Sequence, residues 1–217
     1  MTTFIFLRHG LSVTNNTRRF TGQADAPLHE RGFRQAEDVK TYFIQHHTIS
    51  AVYSSDLSRT MDTVRPTAQA LGLPIHTDTL LRELDVGVWA NLSFAEVEQL
   101  YPKEFRYRLE HPEFARYGFG ETYSDLTVRA LQVIEKIANE HEGQTVLVCT
   151  HGGIIRTLCC AFAGLPIDKL FNFPMVSNAS ISIAEYENGK GSFSLIGYDD
   201  YLSDKTPYLG KRSAQPE

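Results

Sequence analysis

Short apolar runs alternate along this chain with segments of helical periodicity, and this alternation restricts the fold more than any other feature. The strand-like runs cover residues 3–7, 51–54, 74–77 and 145–149. Helical spacing of apolar residues extends over 29–47, 57–71, 122–140 and 154–163. Strands that alternate with helices form a mostly parallel sheet covered by helices on both faces. We therefore predict an α/β fold, a three-layer α/β/α sandwich.

Two segments depart from this alternation. Residues 94–120 are rich in aromatic side chains and predict a small helical cap inserted into the sandwich. Residues 179–187 and 192–198 alternate in polarity and flank Glu187-Asn188-Gly189-Lys190, a pattern typical of an antiparallel hairpin. No repeat or low-complexity linker divides the sequence, so we expect residues 1–217 to form a single domain.

Composition excludes several functional classes. The net charge of -5 disfavours a nucleic-acid surface, which needs a basic excess. No apolar stretch approaches the ~20 residues that span a bilayer. The three cysteines, of which two are adjacent, form no CxxC motif and predict reduced thiols rather than disulfides or zinc ligands. We expect a cytoplasmic protein with no nucleic-acid or membrane partner; the sequence leaves open whether it forms a homodimer.

Reactive side chains follow the predicted strands. His9, in Arg8-His9-Gly10, comes directly after the first strand, and His151 follows the strand at 145–149. Arg59 begins the helix after the second strand, and Glu83 lies beyond the third. Because parallel strands present their carboxyl ends at one edge of the sheet, where ligands bind, we expect these side chains to meet there.

This set of residue types matches the requirements of phosphoryl transfer. Guanidinium groups bind a phosphate dianion through charge-assisted hydrogen bonds, and a neutral imidazole is a nucleophile near pH 7. A second histidine can donate to the transferring phosphoryl group, and a carboxylic acid can protonate the leaving alkoxide. Each residue alone has an ordinary structural explanation, since a histidine at a strand end usually packs or caps. The combination is what indicates an active site, and it requires no metal.

Several ordered motifs extend this pattern. Phe6-Leu7-Arg8-His9-Gly10 with Asn15 resembles the signature of the histidine phosphatase superfamily, which includes the cofactor-dependent phosphoglycerate mutases. Further blocks that resemble this family are Gly22-Gln23-Ala24-Asp25-Ala26-Pro27-Leu28, Tyr53-Ser54-Ser55-Asp56-Leu57-Ser58-Arg59-Thr60, Leu81-Arg82-Glu83, Gly120-Glu121-Thr122 and Thr150-His151-Gly152-Gly153. The resemblance implies that His9 becomes phosphorylated and Glu83 donates the proton. It also implies a phosphate- and substrate-binding set of Arg8, Asn15, Thr21, Gly22, Arg59, His151 and Gly152.

The same family contains phosphatases and mutases, and two features favour a phosphatase. The Ser-, Arg- and Pro-rich stretch by which such mutases resemble one another does not follow Tyr101, and Ala90-Asn91-Leu92 replaces an expected Asn-Lys pair. We predict a metal-independent phosphomonoesterase of a small phosphorylated metabolite. A 2,3-bisphosphoglycerate-dependent phosphoglycerate mutase is the alternative, and a non-catalytic protein that binds phosphorylated ligands is a third possibility.

The predicted cap is the segment expected to shape the non-phosphate end of the substrate. It carries basic side chains among its aromatic residues, namely Lys103, Arg106, Arg108 and Arg116. These residues have an equally good alternative explanation, in which the aromatic rings attach the insert to the core and the charges face solvent.

Overall fold

A six-stranded sheet forms the centre of the computed structural model, which describes residues 1–205. Its strands are β1 (Thr2–Arg8), β2 (Ala51–Ser54), β3 (Ile75–Thr77), β4 (Thr145–Thr150), β5 (Ile181–Glu187) and β6 (Lys190–Tyr198). They lie in the order β3-β2-β4-β1-β5-β6. The first four in this order are parallel, whereas β5 and β6 form an antiparallel hairpin beside β1. The mostly parallel sheet predicted from the sequence is confirmed.

Helices cover both faces of the sheet. Their bounds are α1 (Val13–Asn16), α2 (Glu30–His46), α3 (Ser58–Leu71), α4 (Phe94–Leu100), α5 (Pro102–Glu110), α6 (Tyr123–Glu140) and α7 (Gly152–Phe162). None of these helices is both long and apolar enough to cross a membrane, within the described residues 1–205.

Alternate residues of each strand supply two separate cores. Phe4 and Phe6 of β1 belong to the core shared with α6 and α7, whereas Ile5 and Leu7 belong to the core shared with α2 and α3. This alternation follows from the two-residue period of a strand. Because both faces are buried, β1 and β4 are apolar without interruption, as expected for parallel strands. The three-layer α/β/α sandwich is confirmed.

Some boundaries and faces differ from the sequence prediction. Strand β5 begins at Ile181 rather than at Ala179, because Ala179 has a φ of 57°, which is incompatible with a strand. Helix α7 begins at Gly152, two residues earlier than predicted, with His151 as its N-cap residue. Helical spacing over residues 29–47 also predicts that Phe33 and Ile44 are buried, but both are exposed, since the buried stripe of α2 is formed by Gly32, Ala36, Val39 and Phe43.

Residues 94–120 contain α4, α5 and a short 3-10 turn at Tyr117–Phe119. Trp89 attaches them to the sandwich: its buried ring packs edge-on against Phe105 and Tyr117, at centroid distances of 6.4 and 5.9 Å. The contact is continuous with the core on the α6 and α7 face. The segment is therefore held close to the carboxyl ends of the strands, and its role as a cap stays a prediction.

Truncation of the central strand should destabilise the protein. Leu147 in β4 is fully buried between β2 and β1, so Leu147→Ala is expected to lower the free energy of unfolding by about 2–5 kcal/mol in urea titrations. Val128→Ala on α6 is the matched control, because Val128 is 69% exposed and its truncation should change stability by no more than about 0.5 kcal/mol. Equal losses in the two variants would contradict the prediction.

Candidate active site

The pairing of β1 with β4 brings two histidines together. Arg8 is opposite Thr150 in the parallel register, so His9 and His151, the next residues along the chain, leave the sheet side by side. Their ring centroids are 5.2 Å apart, with an angle of 60° between the ring planes. Both side chains are buried. The two histidines therefore lie together at the carboxyl edge of the sheet, where the sequence predicts them.

A backbone contact determines which nitrogen of His9 is available for reaction. Nδ1 of His9 lies 2.7 Å from the carbonyl oxygen of Gly10. A carbonyl oxygen only accepts hydrogen bonds, so Nδ1 carries the hydrogen and Nε2 keeps its lone pair. Burial, reinforced by the charges of Arg59 and Arg8, holds the pKa of His9 well below its ordinary value. The ring is therefore neutral at physiological pH, with a lone pair available on Nε2.

His151 has the opposite tautomer. Nη2 of Arg59 lies 3.3 Å from Nδ1 of His151, and a guanidinium group can only donate, so Nδ1 accepts and the hydrogen resides on Nε2. Burial and the neighbouring charge of Arg59 lower the pKa of His151 well below its ordinary value. Nε2 is buried and has no hydrogen-bond partner within residues 1–205. His151 thus supplies a neutral N–H donor beside His9.

Arg59 is a rigidly held cation in the interior. Its guanidinium donates to the carbonyl oxygens of Ala24 at 2.9 Å and Gly22 at 2.8 Å, and burial lowers its pKa to about 10. Gly22 has a φ of 52°, and a Cβ there would come within 2.5 Å of the Val86 side chain. The turn that anchors Arg59 therefore requires glycine. Arg8 is anchored on the other side by a hydrogen bond from Nη1 to the carbonyl of Val176.

Glu83 lies at the amino end of α7. Its carboxylate accepts hydrogen bonds from the backbone N–H of Leu84 at 2.8 Å and of Gly153 at 3.1 Å. The first turn of a helix favours a carboxylate, because its N–H groups are unpaired and the helix dipole is positive there. A Cβ on Gly153 would lie 2.1 Å from Oε1 of Glu83, so only glycine permits this approach.

An arginine whose side chain is 13% exposed holds the Glu83 segment in place. Nη2 of Arg129 on α6 donates to the carbonyl oxygen of Glu83 and to the carboxylate of Glu121, both at 2.8 Å. The same guanidinium also reaches the carbonyl oxygens of Leu80 and Arg82. Sequence reasoning did not identify Arg129, because an arginine within an amphipathic helix is normally a solvent-exposed residue.

The remaining residues predicted from the resemblance have different positions. Asn15, at the end of α1, accepts a hydrogen bond from Asn178 at 3.2 Å and lines the cavity next to His9. Thr21 lines the same cavity and donates to Oγ1 of Thr14 at 2.6 Å. Gly152 does not line it; this residue forms the first turn of α7, packed against Arg8 and Met175. His151 is likewise behind the cavity wall rather than on its surface.

The cavity in front of His9 has a volume of about 260 Å³ and is mainly cationic and aromatic. Its wall includes residues that sequence reasoning missed: Arg19, Phe20, Tyr123, Arg156, Phe171 and Met175. Of the four basic residues in the predicted cap, only Arg108 reaches it. Lys103 and Arg106 line a separate surface groove, and Arg116 pairs with Asp125 at 3.2 Å. The cationic, aromatic wall suits a small anionic ligand.

Comparison with known proteins agrees with this geometry. The sequence model of the histidine phosphatase superfamily (branch 1) matches residues 4–199. The chain belongs to the histidine phosphatase superfamily. It is accordingly an enzyme of that superfamily, with the fold expected for it.

Relatives of this histidine phosphatase include hydrolases and mutases by name. It is 32% identical over 204 residues to phosphoserine phosphatase 1 of Hydrogenobacter thermophilus, covering 94% of this chain and 96% of the relative. It is 33% identical to a probable phosphoglycerate mutase of Yersinia pestis, with 83% of each chain covered. The solved structure of Bacillus stearothermophilus YhfR superposes with a TM-score of 0.87 at 31% identity, over 93% of this chain and 100% of YhfR.

The buried histidines should make the stability of this histidine phosphatase depend on pH. Below about pH 6.5 an unfolded histidine binds a proton, whereas folded His9 and His151 remain neutral until their lowered pKa values are reached. The free energy of unfolding should therefore fall as the pH decreases through 6.5, by up to about 1.4 kcal/mol per pH unit for each histidine. Urea unfolding between pH 7.5 and 5.5 in phosphate-free buffer measures this slope.

The double variant His9→Asn/His151→Asn is expected to show a smaller slope than the wild type. His111→Asn is the control, because His111 is exposed and its removal should leave the slope unchanged. His47, whose pKa is also lowered by burial, is present in all three proteins, so its contribution cancels. An unchanged slope in the double variant would show that the two histidines do not remain neutral in the folded state.

Proposed function

We propose that this chain is a metal-independent phosphomonoesterase that hydrolyses a small phosphorylated metabolite through a phosphohistidine at His9. The observation that carries the proposal is the state of His9, a neutral ring with a free Nε2 lone pair beside two buried guanidinium groups. Such a ring is a nucleophile that needs no prior deprotonation. Arg8 and Arg59 can bind the phosphate dianion through charge-assisted hydrogen bonds.

In the first step, Nε2 of His9 attacks phosphorus and the bond between phosphorus and the ester oxygen breaks. The carboxyl group of Glu83 gives a proton to the departing alkoxide, while the guanidinium groups of Arg8 and Arg59, which line the cavity, donate to the phosphoryl oxygens. The ring of His9 becomes positively charged as the new bond forms. The hydrogen bond from Nδ1 to the carbonyl of Gly10 stabilises that charge.

In the second step, water attacks the phosphohistidine and the bond between phosphorus and nitrogen breaks. Glu83, now a carboxylate, accepts a proton from the attacking water, and inorganic phosphate leaves. The two N–H groups that hold the carboxylate of Glu83 keep it oriented for both proton transfers. His9 returns to the neutral state, so the residues of the site are unchanged over one turnover.

A mutase that returns the phosphoryl group to a second hydroxyl is the alternative function. The similarity to a probable phosphoglycerate mutase supports it, whereas the similarity to phosphoserine phosphatase 1 over 96% of that relative supports hydrolysis. The Ser-, Arg- and Pro-rich stretch expected of such mutases does not follow Tyr101, which also supports hydrolysis. We further propose a cytoplasmic location and a small phosphate ester as the physiological partner, on the sequence arguments given above.

Phosphorus NMR of chelator-treated protein tests the function directly. We expect inorganic phosphate to accumulate from at least one ester in a pool of small phosphomonoesters, and His9→Ala to abolish the release. A parallel sample contains 3-phosphoglycerate with a trace of 2,3-bisphosphoglycerate. Growth of the 2-phosphoglycerate signal with little free phosphate would establish the mutase instead. Loss of activity on chelation that one metal restores would exclude the metal-independent mechanism.

The proposed proton donation by Glu83 can be tested through Gly153. In Gly153→Ala the new methyl group would overlap Oε1 of Glu83 and displace the carboxylate. Displacement of a catalytic group by about 1 Å lowers the rate by about 100-fold, so release of phosphate from an alkyl ester should fall by that factor. The first turnover of p-nitrophenyl phosphate should be much less affected, because nitrophenolate leaves without a proton. Equal losses with both esters would indicate general disruption of the site instead.

A further inference from the structure

The cavity contains more positive charge than one phosphate group requires. Its wall includes five arginines, Arg8, Arg19, Arg59, Arg108 and Arg156, and within residues 1–205 Glu83 is the only carboxylate that lines it. Arg8 and Arg59 flank His9 and are assigned to the ester phosphate in the proposed mechanism. Arg19 is half-exposed and is already paired with Glu96 at 2.9 Å. Arg108 and Arg156 therefore remain without an assigned role.

Arg156 is the most informative of these residues. Its side chain is only 8% exposed, and its Nε is buried with no hydrogen-bond partner in the described part of the chain. No ion pair to Arg156 is formed within residues 1–205; its guanidinium stacks over the ring of Phe171 at 4.9 Å. Removing a cation from water costs several kcal/mol, which a single aromatic contact offsets only in part.

Two other arginines in this protein, one buried and one largely enclosed, have the partners that Arg156 lacks. Arg129 pairs with Glu121 and donates to three carbonyl groups, and Arg59 donates to two carbonyl groups and to His151. Arg156 lacks comparable contacts although it lies on the same cavity. The missing partner is therefore expected to be an anion that enters the cavity.

Arg108 lies in an aromatic cluster near Arg156. Its guanidinium is 5.2 Å from the ring centroid of Phe20 and 5.4 Å from that of Tyr117, and its Nε is buried without a partner. Burial raises the pKa of Tyr117 and Tyr123, although the charges of both arginines act in the opposite direction. The two tyrosines therefore stay neutral. When rings cover the faces of a guanidinium, its N–H edge is the part left for a ligand, and that edge matches the two oxygens of a carboxylate.

We propose that Arg156, assisted by Arg108, binds a carboxylate of the substrate, so that the substrate class is a phosphate monoester of a hydroxy acid or an amino acid. Arg156 follows His151 by five residues on α7, which places it about 7.5 Å further along the helix axis. One substrate can therefore place its phosphate at His9 and its carboxylate at Arg156 when a few bonds separate the carboxylate from the ester oxygen. This inference rests on the proposed function, because it assigns the phosphate end to Arg8, His9 and Arg59.

Paired ligands that differ at the carboxylate test the assignment. O-Phosphoserine and O-phosphoethanolamine differ only in this group, and 3-phosphoglycerate and glycerol 3-phosphate differ in having a carboxylate or a hydroxymethyl group. Binding is measured by calorimetry on the His9→Ala protein, which prevents turnover. We expect at least one carboxylate-bearing member to bind about tenfold to a hundredfold tighter than its partner, the range for charge-assisted hydrogen bonds.

In the His9→Ala protein, adding Arg156→Met should reduce the ratio of affinities within the ligand pair at least tenfold. Arg156→Lys should retain part of the preference for the carboxylate. Arg106→Met is the matched control, since Arg106 is exposed in a separate groove and its loss should leave the ratio unchanged. Arg156→Met should fold, because a methionine of similar length fills the same space without the cost of burying a charge; a thermal unfolding curve verifies this. If neither pair shows a preference for the carboxylate, or if Arg156→Met leaves the ratio unchanged, the proposal is wrong.

Phosphate release by the wild type, measured on the same ligands, separates this proposal from the proposed function. If phosphate is released but the ratio of affinities within each ligand pair is the same with and without Arg156→Met, the carboxylate site is refuted and the phosphatase assignment stands. An Arg156-dependent ratio without any release or phosphoryl transfer would refute the enzyme mechanism and leave the carboxylate site established.

Discussion

The parallel pairing of β1 with β4 is the interaction on which the rest of the site depends. It places His9 and His151 side by side where the two strands end, and a shift of one strand relative to the other would disturb the close packing of side chains on both buried faces. The hydrogen bonds of the two rings then give them opposite tautomers, a lone pair on one Nε2 and an N–H on the other. A rigid strand pair thus determines both the position and the protonation state of the two imidazoles.

An excess of positive charge is the second organising property of the site. Five arginines and a single carboxylate, that of Glu83, are among the described residues that line the cavity, and an anion that binds there offsets part of the cost of holding these cations close together. The backbone carbonyls of Gly22 and Ala24 hold Arg59 in place, and that of Val176 holds Arg8. Burial, reinforced by the charge of Arg59, lowers the pKa of both histidines, which keeps His9 a nucleophile rather than an imidazolium. Like charges held close together favour the binding of an anion at a cost in stability, and the surrounding sandwich supplies the rigidity that maintains the arrangement.

The regular part of the fold could be predicted because its pattern is local. Apolar strands with both faces buried and helices with a clear stripe indicated the sheet, its layers and the edge where His9, Arg59, Glu83 and His151 meet. The errors occur where one contact overrides a local pattern. Helix α7 starts early because His151 leaves β4 directly as its N-cap residue, and Phe33 is exposed because Gly32, not a larger residue, packs against the backbone of Leu11. Such contacts join residues distant in sequence and have no periodic signal.

By itself, the sequence determined the fold class, the family resemblance and the residue types delivered to the reactive edge, because strand and helix patterns and short motifs are encoded in neighbouring residues. Only the tertiary structure decided the tautomers of the two histidines, the anchoring of Glu83 by α7 and Arg129, and the cavity wall on the far side of the site. Arg156 is the clearest example: in the sequence it is one charged residue in an apolar helix, and its burial beside a cavity without an ion pair appears only when α7, Phe171 and the segment at 94–120 come together. The physical reason is that burial and electrostatic compensation are properties of the assembled surroundings, which no local pattern contains.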